Sequence, residues 1–219
     1  MTAGARLIYI ADPMCSWCWG FAPELKTLRT ESGLPVDVWV GGLRPGPSAQ
    51  PLDEALRTYL RDTWTRIAEL TGQPFAFDVL DRQDWVYDTE LPAKGVVAAR
   101  SLDPGKALPF FVRVQRAFYA EGVDITDPEA QTDLAREVGL DADGFAAALG
   151  SKEIHDATWQ EFGQVRSIGV SGFPALLLLQ GGRPAPITLG YQSAAALRPV
   201  LDAALAKGEA AEESREAPG

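Results

Sequence analysis

The chain has 219 residues, of which 46% are hydrophobic, and it carries a formal net charge of −10. This length and apolar content suit one large domain, or one domain that carries an insertion. Arg and Lys are scattered among Asp and Glu, so the sequence excludes an extended basic surface, and we expect no nucleic-acid partner.

The first elements form a strand–helix–strand unit. Residues 7–11 are apolar without alternation and stop at Asp12-Pro13, which predicts a short buried strand. Apolar side chains recur at helical spacing over residues 21–30 and predict a helix. Residues 36–40 alternate with a period of two and predict a second strand. A unit of this length favours a parallel strand pair with a right-handed crossover.

The middle of the chain, residues 52–168, has a helical pattern. Thr89 is a candidate N-cap for a helix over residues 91–101. Asp103-Pro104 and Asp127-Pro128 each indicate the start of another helix. Two further helices are expected over residues 142–149 and 152–165.

Strand character returns near the end of the chain. The apolar residues 174–179 predict a strand, and Gly181-Gly182 predicts a tight hairpin turn. Residues 187–189 would form the partner strand. A last helix is expected over residues 194–206 and would end at Gly208.

This order predicts one α/β domain interrupted by a helical insertion. Residues 1–51 and 166–208 would form the discontinuous domain, and residues 52–165 the insertion. Residues 209–219 are acidic and rich in Ala, so we expect a disordered tail.

The two cysteines, Cys15 and Cys18, come directly after the first strand and at the start of a helix. Two intervening residues bring the sulfur atoms close enough to form a disulfide. The unpaired N–H groups and the dipole of a helix N-terminus favour the thiolate form of the first thiol. We therefore expect Cys15 to be the attacking nucleophile and Cys18 to resolve the mixed disulfide.

The surrounding sequence favours a catalytic cysteine pair over a structural or inert pair and over a metal site. The first apolar run is shorter than the roughly 7–15 residues of a signal sequence, and no stretch reaches the roughly 18 residues of a membrane span. We therefore expect a cytoplasmic protein without a membrane partner. In the cytoplasm, a structural disulfide or an inert pair of thiols is the weaker explanation of the two cysteines. A zinc site needs about four ligands, and the chain offers two cysteines and the single His155, so we expect no metal.

The cysteine pair lies in the segment Asp12-Pro13-Met14-Cys15-Ser16-Trp17-Cys18-Trp19-Gly20. This segment resembles the active-site segment of the DsbA-like branch of the thioredoxin superfamily, and more narrowly that of the FrnE-like oxidoreductases, which are described as protein-disulfide isomerases. The resemblance covers about residues 7–206. It implies a thioredoxin fold with a large helical insertion. It also implies a thiol–disulfide oxidoreductase, like a protein-disulfide isomerase, that acts on protein or small-molecule thiols and disulfides, including glutathione, without a cofactor.

The resemblance further implies a cis-proline that faces the cysteine pair. Phe173-Pro174, at the entrance of the strand over residues 174–179, matches that position. An X–Pro bond is the only peptide bond that readily becomes cis, and a proline at a strand entrance costs no ladder hydrogen bond. Phe173 and Pro174 are therefore candidate substrate-binding residues. We expect Trp17 to add an apolar platform for the substrate and Trp19 to pack in the core.

Other residues are candidates for tuning or for binding glutathione. The best-known oxidising relatives have a histidine between the cysteines, whereas Ser16-Trp17 brings no charge, so we expect a less oxidising pair. Asp12 is a candidate for tuning the thiolate, although an Asp before Pro is also a common turn former. Arg44 and Arg183 lie in loops and are candidates for holding a glutathione carboxylate.

Two other functions stay open on the sequence. A glutathione-dependent transferase or isomerase of the kappa type would share the fold, but such relatives usually use one serine where Cys15 stands. A peptide-binding holdase with a vestigial redox site would use the Phe- and Leu-rich helices as its gripping surface. Those helices serve equally well as an ordinary core, which is the simpler account.

Overall fold

The structure, a computed structural model, describes residues 4–216, with side chains described for residues 4–210. Strand β1 (Arg6–Ala11), helix α1 (Ser16–Ser32) and strand β2 (Val36–Val40) form the strand–helix–strand unit that the sequence predicts. The two strands are parallel, with Leu7 opposite Val36. This arrangement places the start of α1 directly after the carboxyl end of β1.

The middle of the chain is helical, as predicted. It contains strand β3 (Gln50–Pro51), helix α2 (Glu54–Thr71), strand β4 (Val86–Tyr87) and helices α3 (Glu90–Leu102), α4 (Ala107–Glu121), α5 (Pro128–Glu137), α6 (Ala142–Gly150) and α7 (Lys152–Ser167). Strands β3 and β4 pair antiparallel. These two strands are not predicted from the sequence, because two residues are too few to show a period.

Thr89 occupies the N-cap position of α3, but its side chain makes no capping hydrogen bond there. The carboxylate of Asp88 instead accepts the backbone N–H of Glu90 at 2.8 Å. Thr89 therefore has the predicted N-cap position, but the prediction that its side chain caps the helix is wrong. The Thr89 hydroxyl is available for another contact.

The chain ends with strand β5 (Ala175–Gln180), strand β6 (Arg183–Leu189) and helix α8 (Ala194–Glu216). The four-stranded sheet has the order β2-β1-β5-β6, and β5 is antiparallel to both neighbours. β6 begins at Arg183, whereas the sequence predicted that this strand would begin at residue 187. It tolerates Pro184 and Pro186 because it is an edge strand, where a missing N–H breaks no pair on the open side.

Helix α8 continues past Gly208 to Glu216, so the predicted helix end is wrong and residues 209–216 are helical. The Ala, Glu and Lys residues around Gly208 are strong helix formers, which outweigh the roughly 1 kcal/mol cost of one glycine. A Cβ atom at residue 208 would overlap the side chain of Gln180, so glycine lets α8 lie close to β5. The remainder of the predicted disordered tail, residues 217–219, lies outside the described residues.

Strand β1 is buried on both faces. Leu7, Tyr9 and Ala11 join a large apolar cluster that extends through the helical middle, and Ile8 and Ile10 join a smaller one with Val165 and Val170. Cover on both faces explains why β1 is apolar without alternation. The larger cluster is continuous between the sheet and the helical middle. The division of the chain into a discontinuous domain and an insertion over residues 52–165 stays a prediction.

Candidate active site

Cys15 lies between β1 and α1. It is the N-cap residue of α1, and its backbone N–H donates to the carbonyl of Asp12 at 3.0 Å, which closes the turn after β1. The Cys15 carbonyl accepts the N–H groups of Cys18 and Trp19 at 3.0 and 3.1 Å. The thiol is thus placed where the free N–H groups of the first helical turn favour a negative charge.

Cys18 lies one turn into α1 and is completely buried, and both cysteines are free thiols. Burial raises the pKa of Cys18 well above its ordinary value, and the neighbouring Cys15 raises it further. The Cys18 backbone carbonyl accepts the hydroxyl of Tyr9 at 3.3 Å. The two thiols therefore have different environments: the first lies at the helix N-terminus, and the second is held protonated behind it.

Phe173 and Pro174 reach the cysteine pair from the entrance of β5. The Phe173–Pro174 peptide bond is cis. The Cys15 thiol donates to the Phe173 carbonyl oxygen at an Sγ···O distance of 3.6 Å. The Phe173 ring packs directly over Gly41, where a Cβ atom would overlap it. The backbone of Phe173, rather than its ring, therefore faces Cys15.

Asp12 is completely buried under the turn that carries Cys15. One carboxylate oxygen accepts the N–H of Met14 at 2.9 Å, and the other accepts the N–H of Leu43 at 2.7 Å. Burial raises the pKa of Asp12 to about 6, against these hydrogen bonds and the nearby Arg44, which lower it. Asp12 is therefore both the turn former and a titratable group beside Cys18: a hydrogen bond with its backbone lowers the pKa of that thiol, and the charge of its carboxylate raises it.

Residues from the helical middle form the next layer. The Thr89 hydroxyl accepts the backbone N–H of Arg44 at 3.1 Å, and a hydrogen bond from Thr89 lowers the pKa of Asp12. The buried Tyr87 hydroxyl donates to the backbone carbonyl of Met14. The Arg44 guanidinium lies 5.5 Å from the centre of the Tyr87 ring. Tyr87 and Thr89 cannot be recognised as site residues from the sequence, because no spacing rule links them to the cysteines.

Trp17 and Trp19 differ in their surroundings. Trp17 is half-buried, with its ring 5.8 Å from that of Tyr191 and the Arg66 guanidinium 5.8 Å from its centre. Trp19 is buried, stacks on Tyr119 and donates from Nε1 to the carbonyl of Pro74 at 3.0 Å. The expectation that Trp19 is a core residue is confirmed, while Trp17 lies at the rim of the site.

The remaining candidates lie in different places. Ser16 is buried at the first position of α1 and brings no charge. Arg183 begins β6 opposite Gln180, whereas the cysteine pair lies beyond the other end of the sheet, where Ala175 pairs with Ile10. Arg183 is therefore wrong as a candidate for the cysteine site. His155 contacts the Glu90 carboxylate, with 3.0 Å between Nδ1 and Oε1.

No helix in residues 4–216 is long and apolar enough to span a bilayer. Among the side chains of residues 4–210, no group of three or more His, Cys, Asp or Glu is arranged to hold a metal ion.

Comparisons with known proteins agree with this geometry. A family model described as DSBA-like thioredoxin domain matches residues 7–202. A solved structure of a candidate protein disulfide isomerase from Nitrosomonas europaea is 38% identical, with a TM-score of 0.85 over 93% of this chain and 98% of that one. The cytosolic disulfide reductase DsbM from Pseudomonas aeruginosa is 33% identical, with a TM-score of 0.76 over 91% of this chain and 98% of that one. DsbM is also solved with GSH.

Among curated proteins, the ClpXP adapter protein SpxH from Halalkalibacterium halodurans is 25% identical over 151 residues, which are 64% of this chain. The chain spans only 47% of the length of that relative. The similarity therefore concerns the shared part alone.

Proposed function

We propose a disulfide-reducing activity for this chain, which belongs to the DSBA-like thioredoxin domain family and has the DsbA-like thioredoxin fold with a helical insertion. Members of this family are thiol–disulfide oxidoreductases. The observation that carries the proposal is the asymmetry of the pair: Cys15 caps α1 and faces the Phe173 carbonyl, and Cys18 is completely buried one turn behind it.

In the first step, the Cys15 thiolate attacks one sulfur of a substrate disulfide. The substrate S–S bond breaks, one thiolate leaves and takes up a proton, and a mixed disulfide joins Cys15 to the other half of the substrate. The N–H groups at the start of α1 stabilise the attacking thiolate. Trp17 at the rim, and the backbone of Phe173 and Pro174, would contact the substrate on either side of the sulfur.

In the second step, Cys18 loses its proton and attacks the Cys15 sulfur. The second substrate thiolate leaves, and the protein keeps the Cys15–Cys18 disulfide, so the dithiol loses two electrons and the substrate gains them. Asp12 would accept the proton from Cys18, because its carboxyl lies beside that thiol and its pKa of about 6 leaves it ionised at neutral pH. Thiols such as glutathione would return the protein to the dithiol form.

Reduction is favoured over oxidation and isomerisation by the residues between the cysteines. Neither Ser16 nor Trp17 carries a charge that would stabilise the dithiol form as a histidine does, so the pair should be a weak oxidant. The relative DsbM is named a cytosolic disulfide reductase and is solved with GSH. We infer the same compartment and a glutathione-linked activity for this chain.

The test is a single turnover of a disulfide by purified, fully reduced wild-type protein, Cys15→Ser and Cys18→Ser. The wild-type protein should reduce the disulfide, Cys15→Ser should be inactive, and Cys18→Ser should stop at a mixed disulfide that intact-mass measurement detects. Full activity in Cys15→Ser would refute the dithiol mechanism. Activity that survives in Cys18→Ser and requires free glutathione would instead favour the kappa-type reaction.

A further inference from the structure

The outer edge of β2 is held by two side chains from the helical middle. β2 is an edge strand of the four-stranded sheet, so no described strand pairs with its outer side. The Glu161 carboxylate on α7 accepts the N–H of Val40 at 2.6 Å. Arg100 on α3 donates from Nη1 to the carbonyl of Val38 at 2.6 Å. Two charged side chains therefore satisfy backbone groups that a neighbouring strand would otherwise bind.

Arg100 and Glu161 also bind each other. Arg100 Nη1 lies 3.3 Å from Glu161 Oε1, and Arg100 Nη2 donates to Glu161 Oε2. The Glu161 side chain is only 11% exposed, so water competes little for its carboxylate. A planar guanidinium that binds a carboxylate through two hydrogen bonds leaves few orientations open to either group. Arg100 and Glu161 therefore form a fixed clamp on the carboxyl end of β2.

The first residue after β2 supports the loop that faces the nucleophile. The Gly41 N–H donates to the carbonyl of Ala11 at 2.8 Å, on the inner side of the strand. The Phe173 ring packs over Gly41, and the Phe173 carbonyl oxygen accepts the Cys15 thiol at 3.6 Å. A shift of Gly41 would therefore move the backbone that meets Cys15.

The third residue after β2 supports the buried acid. The Leu43 N–H donates to the Asp12 carboxylate at 2.7 Å and lowers the pKa of Asp12. Gly42 lies against the ring of Phe162, where a Cβ atom would come within 2.9 Å of that ring. Phe162 follows Glu161 in α7, so one turn of that helix fixes the chain on its way from β2 to Leu43.

We propose that Glu161, held by Arg100, is a positioning residue for disulfide exchange, although its carboxylate bonds to β2 rather than to a cysteine. By fixing the backbone of Val40, it fixes residues 41–43, which support both the loop before β5 and the buried Asp12. The inference rests on the proposed function, because it assigns these two supports a role in the two chemical steps. Misplacement of a reacting group by about 1 Å can cost about a hundred-fold in rate, so a clamp outside the site can control the reaction.

The first measurement is the titration of the Asp12 carboxyl in the fully reduced protein, followed by carbon-13 NMR. The proteins are wild type, Glu161→Ala, Glu161→Gln and Glu137→Ala. Without the clamp the Leu43 N–H should move away from the carboxylate, so the pKa of Asp12 should rise further above its wild-type value of about 6. A clamp that only stabilises the fold would lower the free energy of unfolding and leave this titration unchanged.

Two of these variants are matched controls. In Glu161→Gln the side chain keeps an oxygen for the Val40 N–H but cannot accept the second N–H of Arg100, so its midpoint should lie between those of wild type and Glu161→Ala. Glu137 binds Arg113 through two hydrogen bonds, and among the described residues its carboxylate accepts no N–H from a strand. Glu137→Ala should therefore keep the wild-type midpoint.

The second measurement is the rate at which Cys15 forms a mixed disulfide with the uncharged hydroxyethyl disulfide. Each variant is made in a Cys18→Ser protein, so that the mixed disulfide accumulates and intact-mass measurement after acid quenching detects it. Glu161→Ala should react at least about ten-fold more slowly than its parent, because the Phe173 backbone no longer meets the thiol. Glu137→Ala should react at the parent rate.

A parent-like rate in a folded Glu161→Ala protein would overturn the inference. A wild-type midpoint for Asp12 in Glu161→Ala would overturn it as well, and Glu161→Gln decides in the same way if the alanine variant does not fold. If the parent protein forms no mixed disulfide, the proposed function fails, and the titration still decides whether the clamp positions Asp12.

Discussion

The Cys15 thiol donates to the carbonyl oxygen of Phe173 at 3.6 Å, although 158 residues separate the two in the chain. The contact depends on the Phe173 ring, which packs over Gly41 at the carboxyl end of β2. The loop before β5 is therefore anchored to the end of β2 by the ring of the same residue whose backbone meets the thiol.

Gly41→Ala should disturb this arrangement. The new methyl group would overlap the Phe173 ring, and overpacking of this kind costs about 1–3 kcal/mol. We expect a lower free energy of unfolding in urea and slower disulfide exchange, because the Phe173 backbone moves away from Cys15. Gly163→Ala is the control: nothing lies within 4 Å of a Cβ atom there, and alanine in the interior of α7 should stabilise by about 0.5–1 kcal/mol. Equal stability of Gly41→Ala and wild type would contradict this account.

The sequence identifies the parts of the site that depend on local spacing. Cys15 and Cys18 follow a strand and open a helix, and Pro174 precedes a strand, so neighbouring residues suffice to recognise them. Leu43 contributes to the site through a backbone N–H, which no sequence pattern can show.

Arg66 lies in α2, where a period of 3.6 shows which face is buried but not which end lies near Cys15. Tyr87 lies in β4, which is too short to show a period. The length of α8 is missed for a related reason. Gly208 is locally a helix end, and the helix-forming residues on both sides of it outweigh the cost of that one glycine.

Tyr87→Phe should weaken the turn that carries Cys15. The variant removes a buried hydroxyl that donates to the Met14 carbonyl, and an unpaired buried acceptor costs about 1–3 kcal/mol. The ring stays, so the stacking surface for Arg44 is retained. We expect a loss of this size in the free energy of unfolding measured in urea. Tyr59→Phe, at a position that is 57% exposed, should change it by less than about 0.5 kcal/mol. A Tyr87→Phe protein as stable as wild type would show that the hydrogen bond contributes nothing.

Asp12 should make the folded protein less stable as the pH rises. Its pKa is raised from 3.8 to about 6, so between these values the folded state binds more protons than the unfolded state. The stabilising contribution is complete below about pH 4 and is lost as the pH rises through about 6. The difference between the two pKa values corresponds to about 3 kcal/mol.

Urea unfolding of wild type and Asp12→Asn across this pH range checks the sign. All other titrating groups contribute equally to both proteins, so the difference between the two curves isolates Asp12. The stability of wild type relative to Asp12→Asn should fall by about 2.5 kcal/mol from pH 4 to pH 7. Parallel curves would mean that the carboxyl titrates alike in the folded and unfolded states.

Asp12→Asn should also slow the second chemical step more than the first. An asparagine keeps an acceptor for the turn but cannot take the proton from Cys18, whose burial raises its pKa and makes unassisted ionisation costly. Acid quenching followed by intact-mass measurement gives the formation and decay of the Cys15 mixed disulfide separately. We expect decay in the variant to be at least about ten-fold slower, and to lack the rise with pH near 6 that we expect for wild type. Asp37→Asn is the control, since that carboxylate is exposed and pairs with Arg6 at 3.1 Å. If mixed-disulfide decay in Asp12→Asn keeps the wild-type rate and pH profile, Asp12 shapes the turn without moving the proton.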